Sequence, residues 1–425
     1  MSHARDMAAD EQDQVPEAHP AADGPGTQAV PRRKLKILYH HRTASKDGQA
    51  VHIVELTEAL RRLGHEVIFV GPGLGQDEGF GGDSKLVSGL RACLPKAAFE
   101  VLELFYSTVA YRRLAKAYRE HQPDVFYERF NLFLLAGAWL KQRTGIPYFL
   151  EVNAPLFDER CKFGGLALKA LAHYTQRKAW RTADRVLPVT EVLAQYTRRD
   201  GVPDDRITVI HNGINPAHFL TPIDRAAAKA RLGLKDEIVV GFTGFIREWH
   251  GMDSVIDLLA EKALGSRIKL LIVGEGPGRA TLMARAEKLG VADRVQFTGL
   301  VDRDAIPGVV AAFDIALQPA ATPYASPLKI FEYMALGCAI VAPRQANIEE
   351  ILTDGEHALM FKPGDLNSMR DCVSQLCDNT ALRQRVGAAA RQLVLDRDMT
   401  WDGNAKRVEE LFLAELARRA ASVGS

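Results

Sequence analysis

The feature that most constrains the fold is an alternation of short apolar runs with amphipathic helical segments, which begins near residue 35 and begins again near residue 237. The runs of the first half are KLKILYHH, HEVIFVGPG, PDVFYERF, IPYFLEVNAP, ADRVLPVT and RITVIHNGI. Those of the second half are EIVVGFTGF, RIKLLIVGEGPG, RVQFTGLV, DIALQPA and CAIVAP. Strands that alternate with helices pair in parallel. The pattern therefore predicts an α/β protein with two doubly wound parallel sheets and a ligand cleft at their carboxyl edges.

The predicted domain boundaries follow from where this alternation starts and stops. Residues 1–33 are rich in Ala, Pro, Asp, Glu and Gln, which is typical of a disordered tail. The first α/β domain is expected over residues 34–213 and the second over residues 214–400. Residues 401–425 have an amphipathic pattern, so we expect a final helix that packs back across the domain junction.

Composition excludes several classes of protein. A net charge of +1 gives no general field for nucleic acid, and no apolar run is long enough to span a bilayer. The five cysteines are scattered without zinc spacing, which favours reduced thiols in a cytoplasmic protein with no metal site. Residues 94–120 mix basic and apolar side chains. That segment is interpreted either as a peripheral contact on the inner face of the cell membrane or as a core-facing helix with a solvated basic side.

The stretch ATPYASPLKIFEYMALGCAIVAP contains the clearest candidate for an anion site. Ser326 and Pro327 suit the N-cap and first position of a helix that Gly337 ends, with a buried strand after it. Lys329 and Glu332 are three residues apart and share one face of this helix. A cation beside the free backbone N–H groups of a helix start can bind an anion; a surface ion pair is the alternative.

The second half resembles the donor domain of the family-4 retaining glycosyltransferases, which have the GT-B architecture. The matching motifs are VIHNGIN, GFIREWHG, LLIVGEGPG, VQFTGLV and FEYMALGCAIVAP followed by EEILTDGEHALMF, in this order over residues 209–365. The first half resembles the acceptor domain through GQAVHIVELTEALRRLGHEV and DRVLPVTEVLAQY. The resemblance implies transfer of a sugar, with retention and without an obligatory metal, from a UDP- or GDP-sugar. It further implies a glycan or lipid-linked acceptor in bacterial exopolysaccharide or lipopolysaccharide synthesis, and no other cofactor.

The resemblance also implies roles for residues of the donor site. Lys329, Arg247 and the helix start would stabilise the departing diphosphate. Glu332 matches the second glutamate of the family's E-x7-E motif and would hold the ribose hydroxyls. Tyr324 stands where the family has its first glutamate, and His250 stands where lysine is common. The expected donor-site residues are Gly244, Arg247, His250, Gly274, Gly276, Leu300, Tyr324, Ser326, Leu328, Lys329 and Glu332.

On the acceptor side, Glu151 and Asn153 occupy the region where family enzymes often have a histidine. Together with Arg247 and Lys329 they form the expected catalytic set, although Asn153 also suits a capping role. Gly48, His52 and Arg129 are expected to line the acceptor side. For Arg129 the alternative is an ion pair with the adjacent Glu128, and for His52 a place in the core.

Other interpretations of the motifs are weighed against this one. Asp302 and Asp304 could hold a metal and a diphosphate as in the GT-A fold, but helix capping explains them equally well. GEGPG lacks the full spacing of a dinucleotide fingerprint, which argues against an NAD enzyme. A nucleotide-sugar 2-epimerase would use the same architecture. Tyr324 suggests a further alternative, a non-catalytic relative that binds a nucleotide sugar.

Overall fold

The computed structural model describes residues 33–43, 48–72, 94–261 and 267–423. The expectation of a disordered tail over residues 1–33 therefore lies outside the described residues except at its last position. From Leu35 onward the chain groups into one compact unit that contains two parallel sheets.

The first sheet has five parallel strands in the order β2-β1-β3-β4-β5. The strands are β1 Lys36–His40, β2 Glu66–Val70, β3 Val125–Arg129, β4 Tyr148–Val152 and β5 Arg185–Pro188. Its helices are α1 Gly48–Arg62, α2 Lys96–His121, α3 Ala136–Thr144, α4 Leu156–Glu159, α5 Lys169–Thr182 and α6 Glu191–Arg199, with a π-helical turn Arg160–Gly164 after α4. β3 and β4 are buried along their whole length, as expected for central strands covered on both faces.

The second sheet has six parallel strands in the order β11-β10-β9-β6-β7-β8. The strands are β6 Ile238–Thr243, β7 Ile268–Val273, β8 Val295–Gly299, β9 Ile315–Leu317, β10 Ala339–Pro343 and β11 Ala358–Phe361. The helices are α7 Pro216–Phe219, α8 Arg225–Arg231, α9 Met252–Ala260, α10 Arg279–Lys288, α11 Ile306–Val310, α12 Leu328–Ala335, α13 Ala346–Glu349, α14 Leu366–Asp378 and α15 Thr380–Asp396. Successive side chains of β7 alternate between two core clusters, one on each face of the sheet. The prediction of two doubly wound sheets is confirmed.

One predicted strand is absent from the described structure. Residues 206–214 run beside β5, and the amides of Thr208 and Ile210 donate to the carbonyls of Val186 and Pro188 at 3.0 Å each. They form an isolated bridge rather than a ladder because the segment leaves the sheet to become the linker into the second domain. Its apolar residues lie at the junction between the two domains, which explains why their pattern resembled that of a buried strand.

The last described helix, α16 Trp401–Val423, packs on α1 and on the first sheet although it follows the second domain in sequence. Trp401, Val408 and Phe412 are buried in the same core cluster as residues of β1 and β3. The rings of Phe412 and Phe149 are 4.6 Å apart at an edge-to-face angle. Among the helices of the described residues, none combines the length and the apolar character needed to span a membrane.

Candidate functional site

The start of α12 lies at the centre of the candidate site. Pro327 is the N-cap, with ψ of 115°, and the helix begins at Leu328, so Ser326 does not cap it as predicted. Ser326 instead faces the linker, where its Oγ accepts from the Asn212 amide at 3.2 Å. The predicted helix end is confirmed, because Gly337 follows the C-cap with a left-handed φ of 65°, a conformation that favours glycine.

Lys329 occupies an unusual environment on the first turn of α12. Its Nζ is buried and has no hydrogen-bond partner among the described residues. It lies 3.9 Å from the centre of the Phe242 ring and close to Gly244, where an added Cβ would be 3.1 Å away. Burial lowers the pKa of Lys329 to about 7, although Glu332 opposes this shift. The alternative of a surface ion pair with Glu332 is therefore wrong.

Arg247 and His250 follow β6, and the charges of Arg247 and Lys329 both act on His250. The guanidinium of Arg247 lies 4.9 Å from the centre of the Phe245 ring, and no carboxylate pairs with it among the described residues. The Nδ1 of His250 accepts from the Arg247 amide at 3.3 Å, which leaves the ring proton on Nε2. Burial, with Lys329 and Arg247 nearby, lowers the pKa of His250 to about 3. His250 is thus neutral, and the positive charge here comes from Arg247 and Lys329.

Gly274 and Gly276 allow the loops after β6 and β7 to touch. A Cβ on Gly274 would lie 2.2 Å from the Gly244 carbonyl oxygen, and one on Gly276 would lie 2.3 Å from that of Ile246. The Ile246 amide also donates to the Glu275 carbonyl at 2.8 Å. These glycines support Gly244 beside Lys329, a structural role that their motif alone did not reveal.

Glu332 lies one turn beyond Lys329, where α12 approaches α1. The Glu332 side chain is half-buried, and burial raises its pKa. The negative charge of Glu55 raises this pKa further, whereas the positive charges of Arg303 and Lys329 lower it. Arg303 pairs across the cleft with Glu55 of α1 at 2.7 Å, and Asn215 donates to the other Glu55 oxygen at 2.9 Å. Sequence reasoning missed Glu55 and Arg303. The sequence feature that could have identified Glu55 is its position three residues after His52, on a helix whose buried face is mainly apolar.

Asp302 does not cap a helix through its side chain, which corrects the capping interpretation. Its backbone carbonyl accepts from the amides of Ala305 and Ile306 instead. The Asp304 side chain is 87% exposed, with an oxygen 3.7 Å from Nε2 of His218. Within the described ranges, no group of three or more His, Cys, Asp or Glu residues could hold a metal ion.

On the acceptor side, Glu151 is the centre of a buried cluster at the end of β4 and is only 2% exposed. Burial alone would raise its pKa, but the positive charges of His52 and Arg129 outweigh that effect and hold the pKa below its ordinary value. Its hydrogen-bond donors are His52, Tyr127, Arg129 and Asn153. Asn153 is the one half-buried donor of this group, whereas the other three are buried.

The alternative pairing of Glu128 with Arg129 is wrong. These neighbours on β3 project to opposite faces of the sheet, as successive strand residues must. Glu128 pairs with His40 at 2.6 Å and accepts from the Tyr148 hydroxyl, whereas Arg129 binds Glu151.

Gly48 and Tyr324 lie along the junction of the two domains. A Cβ on Gly48 would be 3.3 Å from Cδ1 of Leu328, so the starts of α1 and α12 touch. Tyr324 packs on the core of the first domain, and burial with the nearby Glu159 raises its pKa. Its carbonyl also accepts from Thr190 at 2.9 Å. Leu300, directly after β8, is 62% exposed.

This geometry brings together an unpaired ammonium, a guanidinium and the N-terminus of α12, with a carboxylate one helical turn away. Buried cations and free backbone N–H groups suit a diphosphate. A carboxylate suits the paired hydroxyls of a ribose, since it accepts hydrogen bonds through both oxygens. The site therefore has the chemistry to bind a nucleoside diphosphate.

Comparisons with known proteins agree with this architecture. The sequence model of Glycosyltransferase Family 4 matches residues 46–218, and that of Glycosyl transferases group 1 matches residues 224–393. A 2-deoxystreptamine glucosyltransferase of Streptomyces kanamyceticus is 26% identical over 350 residues, covering 78% of this chain and 90% of that protein. A D-inositol 3-phosphate glycosyltransferase of Mycolicibacterium smegmatis is 30% identical, with 62% of each chain covered.

Solved structures share the fold at low sequence identity. Anabaena HepE, crystallised with UDP and glucose, has a TM-score of 0.69 at 17% identity, covering 89% of this chain and all of that chain. WaaG, a glycosyltransferase involved in lipopolysaccharide biosynthesis, has a TM-score of 0.66 at 16% identity, covering 88% of this chain and 99% of that chain. Both halves of the described fold thus have family counterparts in the expected order, and the chain belongs to the family-4 glycosyltransferases of the GT-B architecture.

Proposed function

We propose that this glycosyltransferase transfers a sugar, with retention, from a nucleoside diphosphate sugar to a glycan or lipid-linked acceptor. The observation that carries the proposal is the buried ammonium of Lys329 at the start of α12, which has no hydrogen-bond partner among the described residues, with Arg247 on the other side of His250. A buried cation without a hydrogen-bond partner is costly, so its retention favours an anionic ligand at that point. The UDP bound to the structural neighbour HepE supports a UDP-sugar as the donor.

In the proposed reaction the bond between the anomeric carbon and the diphosphate breaks while the acceptor hydroxyl attacks from the same face. Negative charge develops on the departing diphosphate, where Arg247, Lys329 and the N-terminus of α12 stabilise it. The diphosphate oxygen accepts the proton of the acceptor hydroxyl, so no carboxylate nucleophile is required. These cations supply the electrostatic role that a metal ion fills elsewhere, and activity is accordingly expected to persist in EDTA.

We assign Glu332 to the ribose hydroxyls and Asn153 to the sugar or acceptor. Glu151 is enclosed by four donors, which favours an orienting role for it over direct contact with substrate. Tyr324 replaces the family's first glutamate and packs on the acceptor domain. The hydroxyls of the donor sugar are therefore expected to find other partners than in relatives that have the glutamate.

We further propose that the first domain meets the inner face of the cell membrane. Phe105 of α2 and Phe163 of the π-helical turn are 62% and 71% exposed, and Val101 is exposed one turn before Phe105. Lys162 lies 5.0 Å from the Phe163 ring centre. The exposed lysines and arginines of α2, which would attract anionic lipids, are Lys96, Arg112, Arg113, Lys116 and Arg119.

The experiment is a thermal-shift screen with UDP, GDP, ADP and their sugar conjugates, followed by transfer assays with the best donor. A ligand that binds only the native state raises the unfolding midpoint. NMR of the product then gives the anomeric configuration, and inversion would contradict retention. Nucleotide binding without turnover for any acceptor would favour the non-catalytic relative. Co-sedimentation with anionic vesicles, compared with F105S and F163S variants, tests the membrane contact.

A further inference from the structure

A continuous set of buried hydrogen bonds connects the end of β4 with the residues that precede α12. His52 of α1 lies at its middle, 5% exposed, with Nε2 2.9 Å from Oε2 of Glu151. The other ring nitrogen, Nδ1, lies 2.8 Å from Oδ1 of Asn212 in the linker. Asn212 in turn donates to Ser326 twice, from Nδ2 to the carbonyl at 2.6 Å and from its amide to Oγ at 3.2 Å.

The partners of His52 determine how many protons its ring carries. The Ser326 carbonyl can only accept, so the nitrogen of the Asn212 side chain must face it, and Oδ1 must face His52. Glu151, held ionised by its neighbours, accepts on the other side of the ring. Both ring nitrogens of His52 therefore face acceptors, and only the imidazolium form satisfies both contacts. Loss of one proton would leave one of the two contacts without a donor.

Among the residues that the structure describes, none competes with Glu151 or Asn212 for the ring nitrogens of His52. Trp401 of α16 packs against the ring edge-on, with the ring centres 4.8 Å apart. His211 in the linker turns away and pairs through Nδ1 with the Val189 carbonyl at 3.0 Å. The titratable groups around His52 on α1, β3, β4 and the linker are Glu55, Tyr127, Arg129, Glu151 and His211.

The far end of this set of hydrogen bonds reaches the donor site. Ser326 is three residues before Lys329, and the loop in front of it is held from the second domain by Asn347. The Nδ2 of Asn347 donates to the carbonyls of Thr322 and Ala325 at 3.1 and 2.7 Å. The loop is therefore held by its own domain through Asn347. It is tied to the first domain by the Thr190 hydroxyl, which donates to the Tyr324 carbonyl, and by the connection through Asn212 and His52.

We propose that His52 is a positioning residue that, as an imidazolium between Glu151 and Asn212, aligns the donor helix α12 with the acceptor domain for sugar transfer. The proposal rests on the proposed function, because it concerns the alignment of the two substrates. Nucleotide affinity depends mainly on the second domain, where Asn347 still holds the loop. Transfer depends on the alignment of both domains, since small displacements of reacting groups cost much of the rate.

The test compares His52→Gln, Asn212→Asp and the double variant. Gln cannot donate to both acceptors, and Asp in place of Asn212 cannot donate from its side chain to the Ser326 carbonyl. Each variant is expected to lower kcat by about 10- to 100-fold while the nucleotide Kd stays within about threefold. The double variant should be no worse than the more severe single one, because both break the same connection. Multiplicative losses in kcat, or a loss confined to nucleotide affinity, would overturn the proposal.

The pH profile supplies a readout that a merely structural role would not change. The kcat of the wild type should fall as pH rises and His52 loses its second proton. This alkaline limb of the pH profile should be absent from His52→Gln. The matched control is His40→Gln, which breaks another buried histidine–glutamate pair, to Glu128, without a bond to the linker. It should keep the wild-type profile. The same alkaline limb in His52→Gln would contradict the proposal.

A spectroscopic measurement separates failure of this inference from failure of the proposed function. If the wild type transfers no sugar, the proposed function fails, and ¹⁵N NMR of the histidine rings still decides the inference. At the acidic end of the titration both ring nitrogens of His52 should carry protons in slow exchange with water, and Asn212→Asp should shift the Nδ1 signal. A ring that exchanges freely, or one that Asn212→Asp leaves unchanged, would overturn the proposal.

Discussion

The ammonium of Lys329 lies 3.9 Å from the centre of the Phe242 ring, and the described residues offer it no hydrogen-bond acceptor. A ring face compensates only part of the cost of removing such a charge from water. The unliganded protein therefore carries a local destabilisation at the point where we expect the diphosphate to bind.

Lys329→Met should make the unliganded protein more stable below pH 7. Below pH 7 the Lys329 side chain is charged in both the folded and the unfolded wild type. Only in the folded state is that charge removed from water, which lowers the free energy of unfolding. Between the lowered pKa of about 7 and the ordinary value of 10.5, the unfolded state binds the extra proton, so wild-type stability rises with pH. The advantage of the variant should shrink by about 1.4 kcal/mol per pH unit above pH 7. Urea unfolding at pH 6 and pH 9 measures it.

The control for this variant is Lys116→Met, which removes a lysine whose side chain is 70% exposed. Its effect on the free energy of unfolding should be small and independent of pH. A stability difference for Lys329→Met that is constant between pH 6 and pH 9 would contradict the buried-charge explanation.

Nucleotide binding should take up protons at alkaline pH. With a lowered pKa, Lys329 is largely neutral at pH 8 and must gain a proton to pair with a diphosphate. Calorimetry of UDP or GDP in buffers of different ionisation enthalpy should detect uptake of up to one proton, and affinity should fall as pH rises above 7. Lys329→Arg stays charged throughout, so its affinity should be nearly flat with pH. Equal pH dependence in both proteins would assign the effect to another group.

Glu332→Gln should weaken nucleoside diphosphate binding by about tenfold, because one charge-assisted hydrogen bond contributes about 1.5 kcal/mol or more. Inorganic pyrophosphate, which has no ribose, should bind both proteins with similar affinity in direct titration. Glu349→Gln, at a carboxylate whose side chain is 45% exposed, serves as the matched control. Unchanged affinity for UDP and GDP in Glu332→Gln would rule out the ribose assignment.

The pair between Glu55 and Arg303 should stabilise the contact between the two domains. Glu55 is 4% exposed, and its two carboxylate oxygens are bound by Arg303 and Asn215, which compensate for removing the carboxylate from water. A double-mutant cycle with Glu55→Gln and Arg303→Met should give a coupling of about 1–3 kcal/mol in urea unfolding. The exposed pair of Arg198 with Glu191 should give less than about 1 kcal/mol. Similar couplings for both pairs would show that burial adds nothing to the cross-cleft contact.

The short-range pattern of the sequence was sufficient to predict the two sheets. The strand runs and the amphipathic segments between them predicted parallel pairing of the strands, because a β-strand and the helix after it are fixed by local periodicity and chain direction. Gly337 marked the end of α12 correctly, since a left-handed C-terminal position favours glycine regardless of what surrounds it. Lys329 and Glu332 were chosen as site residues from their spacing on one turn and from the motifs around them, and their roles stay predictions.

Sequence reasoning failed where a residue's partner is remote. Ser326 was expected to cap its own helix and Glu128 to pair with its neighbour, but their partners are Asn212 and His40. Residues 206–214 had the apolar pattern of a strand, yet they serve as the linker between the domains.

The amino-acid sequence by itself determined the two-sheet architecture and indicated which charged residues lie on the first turns of α12. Only the tertiary structure decided that Lys329 is buried with no hydrogen-bond partner among the described residues, that His52 joins Glu151 to Asn212, and that Glu350 accepts from the first amides of α6. The physical reason is that periodicity and caps depend on near neighbours along the chain. Desolvation and buried hydrogen bonds depend instead on groups that folding brings together from positions 99 to 160 residues apart.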